Sequence, residues 1–224
     1  MFKLQIKYLS FFFGIVSILS FFNILYSYYF NLYLNLDTYY FTLLASSILF
    51  ITFFKFGKYD IKSNIFQRIL SIFLGYLLIP LVLSIPFYFS IYNLTFSNSF
   101  FEAISGFTST GFTVFENIKL IDQSLIIWRS STQWIGGLYF LFSIILLIDI
   151  YDENFKKTLT NFISFDSTEI FKQAIKIFLL YSVLTLIIFI ILNIFSIRSF
   201  NSLNLAFTLI SSGGFLPVND LSSI

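Results

Sequence analysis

The sequence predicts an all-α integral membrane protein of helix–re-entrant loop–helix repeats, with about five transmembrane helices and two short half-helices. Three observations predict it: the composition, a series of long apolar runs, and a short apolar run ending in a polar glycine loop that occurs twice. Of the 224 residues, 58% are hydrophobic and 11% are charged. Soluble domains carry about 25% charged residues, so this chain has too little charge to coat a soluble globule. Aromatic residues reach 22%, which excludes a disordered chain. A net charge of +2 leaves no footprint for nucleic acid. Lipid is the solvent for most of the chain.

Two absences narrow the chemistry. Without Cys there is no disulfide, zinc–thiolate or iron–sulfur site, and without His the commonest general base and metal ligand are missing. A Ser-His-Asp triad is impossible, and the chain reads as a non-enzyme with no directly bound cofactor. An intramembrane transferase using paired carboxylates would need acids in the spans, which hold almost none apart from Glu102 and the terminal Asp149.

A bilayer crossing needs about 20 mostly apolar residues. The first run extends from Tyr8 to Tyr33 and the second from Tyr39 to Phe56. Lys3 and Lys7 ahead of the first run suggest a signal peptide, but the run exceeds an h-region and no small-x-small cleavage site follows. It reads as a retained helix. The third run, Ile69–Ile91, is interrupted by Pro80 and Pro86; the fourth is Leu125–Ile150 and the fifth Phe171–Phe195. Lys3 and Lys7, then Lys55, Lys58, Lys62 and Arg68, then Lys156, Lys157, Lys172 and Lys176 fall on one side of five spans. Lys119, Arg129 and Arg198 fall on the other. The bias places the N-terminus in the cytoplasm.

Between the third and fourth spans lies Asn93–Ser124, holding the short apolar run Phe100–Phe107. A sixth crossing there would reverse every later loop, and the run is only about half a bilayer long. A re-entrant element satisfies both constraints, and irregular backbone at membrane depth must be buried in protein or line a wet cavity. Ser99 and Glu102 have capping-box spacing, with Ser99 as N-cap. The half-helix then directs the negative end of its dipole into the membrane. Thr108-Ser109-Thr110-Gly111-Phe112 follows, a stretch able to present carbonyls and hydroxyls to a cation, with Gly111 free to take positive φ.

The pattern recurs after the fifth span. Asn201 to Ala206 lead into Ser211-Ser212-Gly213-Gly214, and aligning Gly111 with Gly213 gives an offset of 102 residues. That offset also carries Ser99 to Asn201, Glu102 to Asn204 and the third span onto the fifth. Internal repetition of this kind outweighs any single motif. Among the remaining residues, Arg129 reads as pairing with Glu116, Asp122 or a lipid phosphate in preference to shaping the outer field. Gly136-Gly137 reads as close helix packing in preference to a hinge. Asp149, Asp152 and Glu153 read as a solvated helix end.

Phe100-Phe-Glu-Ala-Ile-Ser-Gly-Phe-Thr-Ser-Thr-Gly111, with Ile127-Trp-Arg-Ser-Ser-Thr-Gln-Trp-Ile-Gly-Gly137, resembles the first pore repeat of Trk/Ktr-type potassium transporters. Ser84-Ile-Pro-Phe87 and Ser212-Gly-Gly-Phe215 extend the resemblance to roughly Ile65–Asp220. It implies a potassium-channel-like fold with four repeats around one pore and K⁺ as the transported ion. The implied filter positions are Thr108, Ser109, Thr110, Gly111 and Phe112, with Ser211, Ser212, Gly213 and Gly214. K⁺ contact is implied at Thr110, Gly111, Ser212 and Gly213. Ser212 stands where the family commonly has Thr. The resemblance also implies a multi-pass protein of the cell inner membrane, a homodimer, and a cytoplasmic nucleotide-binding regulatory subunit as partner. Residues 1–62 form an N-terminal helix pair, 63–165 the first repeat, and 166–224 a second repeat reaching just past its filter loop. By length the chain looks like the first half of such a transporter. Another chain supplying the missing repeats, or a fragment without independent transport, are the expectations attached to that length.

Overall fold

The computed structural model describes residues 7–57, 65–148 and 170–218, and among these it holds eight α-helices, one 3-10 turn and no strand. The charged and acidic positions Lys3, Lys58, Lys62, Lys156, Lys157, Asp149, Asp152 and Glu153 lie outside the described residues.

The two N-terminal apolar runs form a helical hairpin, α1 (Lys7–Tyr29) and α2 (Leu36–Phe56). Contacts from Phe13 to Phe53, Ser17 to Ser46 and Tyr28 to Tyr40 run in opposite order along the two helices, so the pair is antiparallel. Asn31 takes φ 56°, and the Leu32 N–H closes back onto the Ser27 carbonyl at 2.8 Å. This left-handed cap ends α1 several residues before Tyr33. Asn35, at the start of α2, donates to Asp122 Oδ2 (3.3 Å) and accepts the Ile91 N–H (3.2 Å), tying the hairpin to the later elements.

The proline-interrupted run is helix α3 (Ile65–Leu83) followed by a single turn, α4 (Ile85–Tyr88), with Pro86 in its first turn. Proline there lacks an N–H that the preceding turn would need, so the helix breaks at Ser84. The Trp128 indole N–H takes the Leu83 carbonyl beside this break at 3.0 Å. Two twelve-residue half-helices, α5 (Phe96–Phe107) and α8 (Ser199–Ile210), follow the third and fifth spans. At 1.5 Å per residue each is about 18 Å long, short of a bilayer core of about 30 Å. The Asp122 N–H, beyond the first half-helix, returns to the hydroxyl of Tyr92, ahead of it, at 2.6 Å, so that segment enters and leaves on one side as a re-entrant element. The described residues form an all-helical membrane fold.

Among the described residues, four helical stretches are long and apolar enough to cross a membrane: Lys7–Tyr29, Leu36–Phe56, Phe66–Tyr88 and Ala174–Ile194. The last belongs to α7 (Ile170–Ile194). The fifth expected span is α6 (Gln123–Ile148), at 26 residues the longest helix among the described residues. It is long enough to cross, but it is not a lipid-facing segment. Every residue from Ser124 to Tyr139 is buried, including Ser130, Ser131, Thr132 and Gln133. Protein surrounds α6 on all sides there, and Arg129 and Gln133 find their partners within it, in contrast to the exposed faces of α2 and α7. Those two leave most of their apolar surface exposed, as lipid-facing helices do.

An aromatic cluster fastens α1, α3 and α5 to α6. Tyr139 packs edge-on against Phe12 (4.8 Å) and Tyr76 (4.9 Å) and tilted against Phe107 (5.3 Å). Its hydroxyl donates to the Ile72 carbonyl at 2.8 Å. On the opposite side the Trp134 indole N–H reaches Thr185 Oγ1 of α7 at 3.0 Å. The two tryptophans of α6 therefore reach α3 and α7, the long helices that precede the two half-helices.

Replacing Trp128 with Phe keeps the ring and removes the donor beside the α3–α4 break. Thermal unfolding in detergent should show a loss of about 0.6–1.7 kcal/mol, the range for interhelical hydrogen bonds in membranes. An unchanged midpoint would mean that the Leu83 carbonyl does not depend on this donor.

Candidate functional site: two loops on a buried helix

Both half-helices stop in the same way. In the first, Ser109 takes φ 55°, its N–H bonds to the Gly106 carbonyl (2.9 Å), and the Thr110 N–H bonds to the Ser105 carbonyl (2.9 Å). In the second, Ser212 takes φ 53°, its N–H bonds to the Leu209 carbonyl (3.1 Å), and the Gly213 N–H bonds to that of Thr208 (2.8 Å). Each is a Schellman cap with serine in the left-handed position. One hydroxyl then closes each loop. Ser105 Oγ donates to the Phe112 carbonyl at 2.6 Å, and Thr208 Oγ1 donates to the Phe215 carbonyl at 2.8 Å.

These matching pairs correct the repeat offset. Phe96–Phe107 recurs as Ser199–Ile210, Asn93 (φ 50°) as Ser196 (φ 63°), and Ser109 as Ser212, a shift of 103 residues throughout. Gly111 therefore corresponds to Gly214, not Gly213, and Thr110 to Gly213. Matching by glycine identity placed the register one residue short, because the second loop has two adjacent glycines and the helix caps, not the glycines, set the frame. The capping box is corrected too. Thr95 is the N-cap, its Oγ1 accepting the Asn98 N–H at 3.3 Å, so α5 begins one turn before Ser99. Asn201 does not cap α8, whose N-cap is Arg198. Asn204 lies inside α8, where its Oδ1 accepts from Ser130 Oγ of α6 at 2.7 Å.

The loops present a free front and a tied back. Thr108, Thr110, Phe112, Ser212 and Gly214 are exposed, while Ser211 and Phe215 are buried. Among the described residues, no hydrogen bond engages the carbonyls of Thr108, Ser109, Thr110 or Gly111, nor those of Ser212, Gly213 or Gly214. The Phe112 carbonyl is taken by Ser105, so Phe112 contributes its backbone to loop closure. The Thr108 and Ser211 hydroxyls donate back into their own half-helices, to Ile104 (2.8 Å) and Phe207 (2.9 Å). Gly111 has φ 81°, and a Cβ on it would lie 2.5 Å from the Gly214 Cα. The two loops meet at these glycines.

Behind the loops stands α6. Glu102 and Arg129, both completely buried, pair at 2.8 Å through Arg129 Nε. This overturns the capping reading of Glu102 and the helix-end reading of Arg129: Glu102 does not cap α5, and Arg129 pairs with neither Glu116 nor Asp122 and is shielded from lipid. The Glu102 carboxylate accepts the Val114 N–H (2.9 Å) and the Thr113 hydroxyl (3.0 Å), while Arg129 Nη2 donates to that same hydroxyl (3.0 Å). One helical turn on, Gln133 serves the second loop. With its amide oriented to satisfy every group, Oε1 accepts the Gly214 and Phe215 N–H groups (both 2.9 Å) and Nε2 donates to Thr208 Oγ1 (3.0 Å). Another turn on, Gly136 lies against the Phe107 carbonyl and Gly137 against Ser211 and Tyr181. This supports the close-packing reading of the glycine pair.

A cavity of about 590 Å³ opens beneath the loops, lined by the C-terminal ends of both half-helices, Gly136-Gly137 and Tyr76. Each half-helix turns the negative end of its dipole toward this space. The groups missed from sequence are Ser105, Thr208 and Gln133. A hydroxyl seven residues before each loop phenylalanine, in both repeats, is the signal that marks the first two.

Glu102→Ala leaves the Arg129 guanidinium buried without a counter-ion, a change that costs about 3–5 kcal/mol. Thermal unfolding should register that loss, with Glu102→Gln losing less because it retains hydrogen-bonding groups. A loss below about 1 kcal/mol for Glu102→Ala would contradict the buried pair.

No protein-family model matches the chain. It is 28% identical over 165 residues to an uncharacterized cation transporter of Methanocaldococcus jannaschii, covering 67% of this chain and 34% of that protein. It is 33% identical over 82 residues to the Trk system potassium uptake protein TrkH of Escherichia coli, 36% of this chain and 17% of the relative. Over 60 residues it is 37% identical to TrkI of Halomonas elongata, 27% of this chain and 11% of the relative. The crystal structure of the potassium transporter TrkH from Vibrio parahaemolyticus matches its fold with a TM-score of 0.75 at 17% identity, covering 97% of this chain and 44% of that one. The chain thus spans about a third of the archaeal relative and under half of the crystallised transporter. Within that partial span, the relatives and the fold bear out the resemblance: the chain is similar to the membrane subunits of Trk-type potassium transporters.

Proposed function

We propose that the chain contributes two of the filter loops of a K⁺-translocating pore, the cation passing between backbone carbonyls. The observation that carries this reading is the pair of loops touching at Gly111 and Gly214, their carbonyls unengaged, above a cavity that faces two helix C-termini. Carbonyls replace a cation's hydration shell, and the dipole ends favour positive charge just below. In the corrected register, Thr110 and Gly111 act together with Gly213 and Gly214, and Ser109 and Ser212 shape the two caps. No bond is made or broken.

Two loops do not encircle an ion, and the longer relatives have room for further repeats that would complete the ring. The domain division into residues 1–62, 63–165 and 166–224 belongs to the same reading. So do an N-terminus on the cytoplasmic side of the cell inner membrane, assembly as a homodimer, and gating by a cytoplasmic nucleotide-binding subunit. The basic-residue bias supports the orientation; family resemblance supports the partners.

Gly111→Ser tests the filter. At φ 81° the backbone of residue 111 strains any side chain, and the new Cβ would in addition meet the Gly214 Cα at 2.5 Å. In proteoliposome or whole-cell flux assays of the assembled protein, K⁺ over Na⁺ discrimination should fall by about tenfold, equivalent to ~1.4 kcal/mol. Unchanged discrimination would remove Gly111 from the filter.

A further inference from the structure

We propose that Arg129 is a positioning residue that couples the two loops, so that the conformation of each depends on the other. Three contacts place it between them. Its Nε and Nη2 hold the back of the first loop through Glu102 and Thr113. Its guanidinium carbon lies 4.3 Å from the centre of the Phe215 ring, in the second loop. It also lies 5.6 Å from the Phe115 ring, which follows the first loop. The cation therefore contacts a ring of the second loop and a ring of the segment that follows the first, while its hydrogen bonds go to the first loop's side alone. Phe215 is buried and is itself fixed through its backbone N–H by Gln133 and through its carbonyl by Thr208. A displacement of Phe215 removes the surface on which the guanidinium rests. A displacement of Arg129 removes the partner of the Phe215 face. Guanidinium–aromatic stacking strengthens when desolvated, and both groups here are buried.

Arg129 Nη1 is buried without a hydrogen-bond partner among the described residues. The guanidinium is thus not placed to satisfy all its donors. Its position meets Glu102, Thr113 and the Phe215 ring together, which is what a linking role requires and a purely local pairing with Glu102 does not. The coupling rests on geometry alone; its consequence for ion selection rests on the filter reading above.

The test is amide-resolved hydrogen–deuterium exchange on the intact protein in lipid. Phe215→Leu removes the ring and leaves every hydrogen bond of Arg129 in place. Exchange at the Val114 amide, in the first loop, should rise about 3- to 10-fold. Phe215→Tyr, which restores a ring, should return it to the parent value. Arg129→Lys keeps the charge opposite Glu102 but loses the planar stack, and should raise exchange at Gly214 and Phe215 in the second loop by a similar factor. Amides of α1 and α2 serve as the control for an intact fold. If Phe215→Leu raises exchange at Gly214 and Phe215 but leaves the Val114 amide at its parent value, the coupling is overturned. Because Phe215→Leu does not disturb the buried ion pair, it decides the matter even if Arg129→Lys fails to fold. The two readings fail separately. Unchanged selectivity in Gly111→Ser with cross-loop exchange intact sinks the filter and spares the coupling.

Discussion

The buried pair of Glu102 and Arg129 is the constraint around which the rest is arranged. Placing two charges out of water costs several kcal/mol per ion, and their attraction offsets this only when the geometry is good and other hydrogen bonds serve the remaining atoms. Here Thr113 and the Val114 N–H take up the carboxylate, and aromatic faces cover the guanidinium. Such a pair cannot sit on a helix that faces lipid. It requires α6 to be enclosed by protein, and the enclosure is what the N-terminal hairpin, the two half-helices and α7 supply.

Enclosure of α6 gives the loops their division of labour. Arg129 with Glu102, then Gln133, then Gly136-Gly137 succeed one another turn by turn along one helix, and each meets a loop or the end of a half-helix. The backs of the loops are fixed by side chains, and the Schellman caps and the Ser105 and Thr208 hydroxyls fix their curvature. With those donors committed behind, the carbonyls in front remain available to a cation. A filter made of backbone needs this kind of external bracing, since the ion binds groups whose positions no side chain of their own determines.

Much of this was legible in the sequence. The apolar runs located α1, α2, α3 and α7 to within a few residues, and the half-bilayer length of Phe100–Phe107 identified the re-entrant elements. Gly111 was marked by its place in a polar loop, and its φ of 81° agrees. What was not legible depended on tertiary partners. Ser99 reads as the cap from its spacing to Glu102, but the Glu102 carboxylate is taken by Thr113, Val114 and Arg129 and the helix starts a turn earlier, at the Thr95 cap. Arg129 near a helix end reads as a snorkelling surface residue until Glu102 is seen to face it across 27 residues of sequence. The repeat offset could not be fixed by glycine matching, because Gly213 and Gly214 are adjacent and the left-handed serines that set the frame have no distinctive identity.

The proposed filter of backbone carbonyls braced from behind is most sharply probed by a structure of the intact protein in Tl⁺, with the cation located by its anomalous scattering. The arrangement described predicts a peak bounded by the carbonyls of Thr110 and Gly111 on one side and of Gly213 and Gly214 on the other, with Arg129 and Gln133 still seated behind them. A peak away from these carbonyls, or Gly213 standing opposite Gly111 in the place assigned to Gly214, would contradict it.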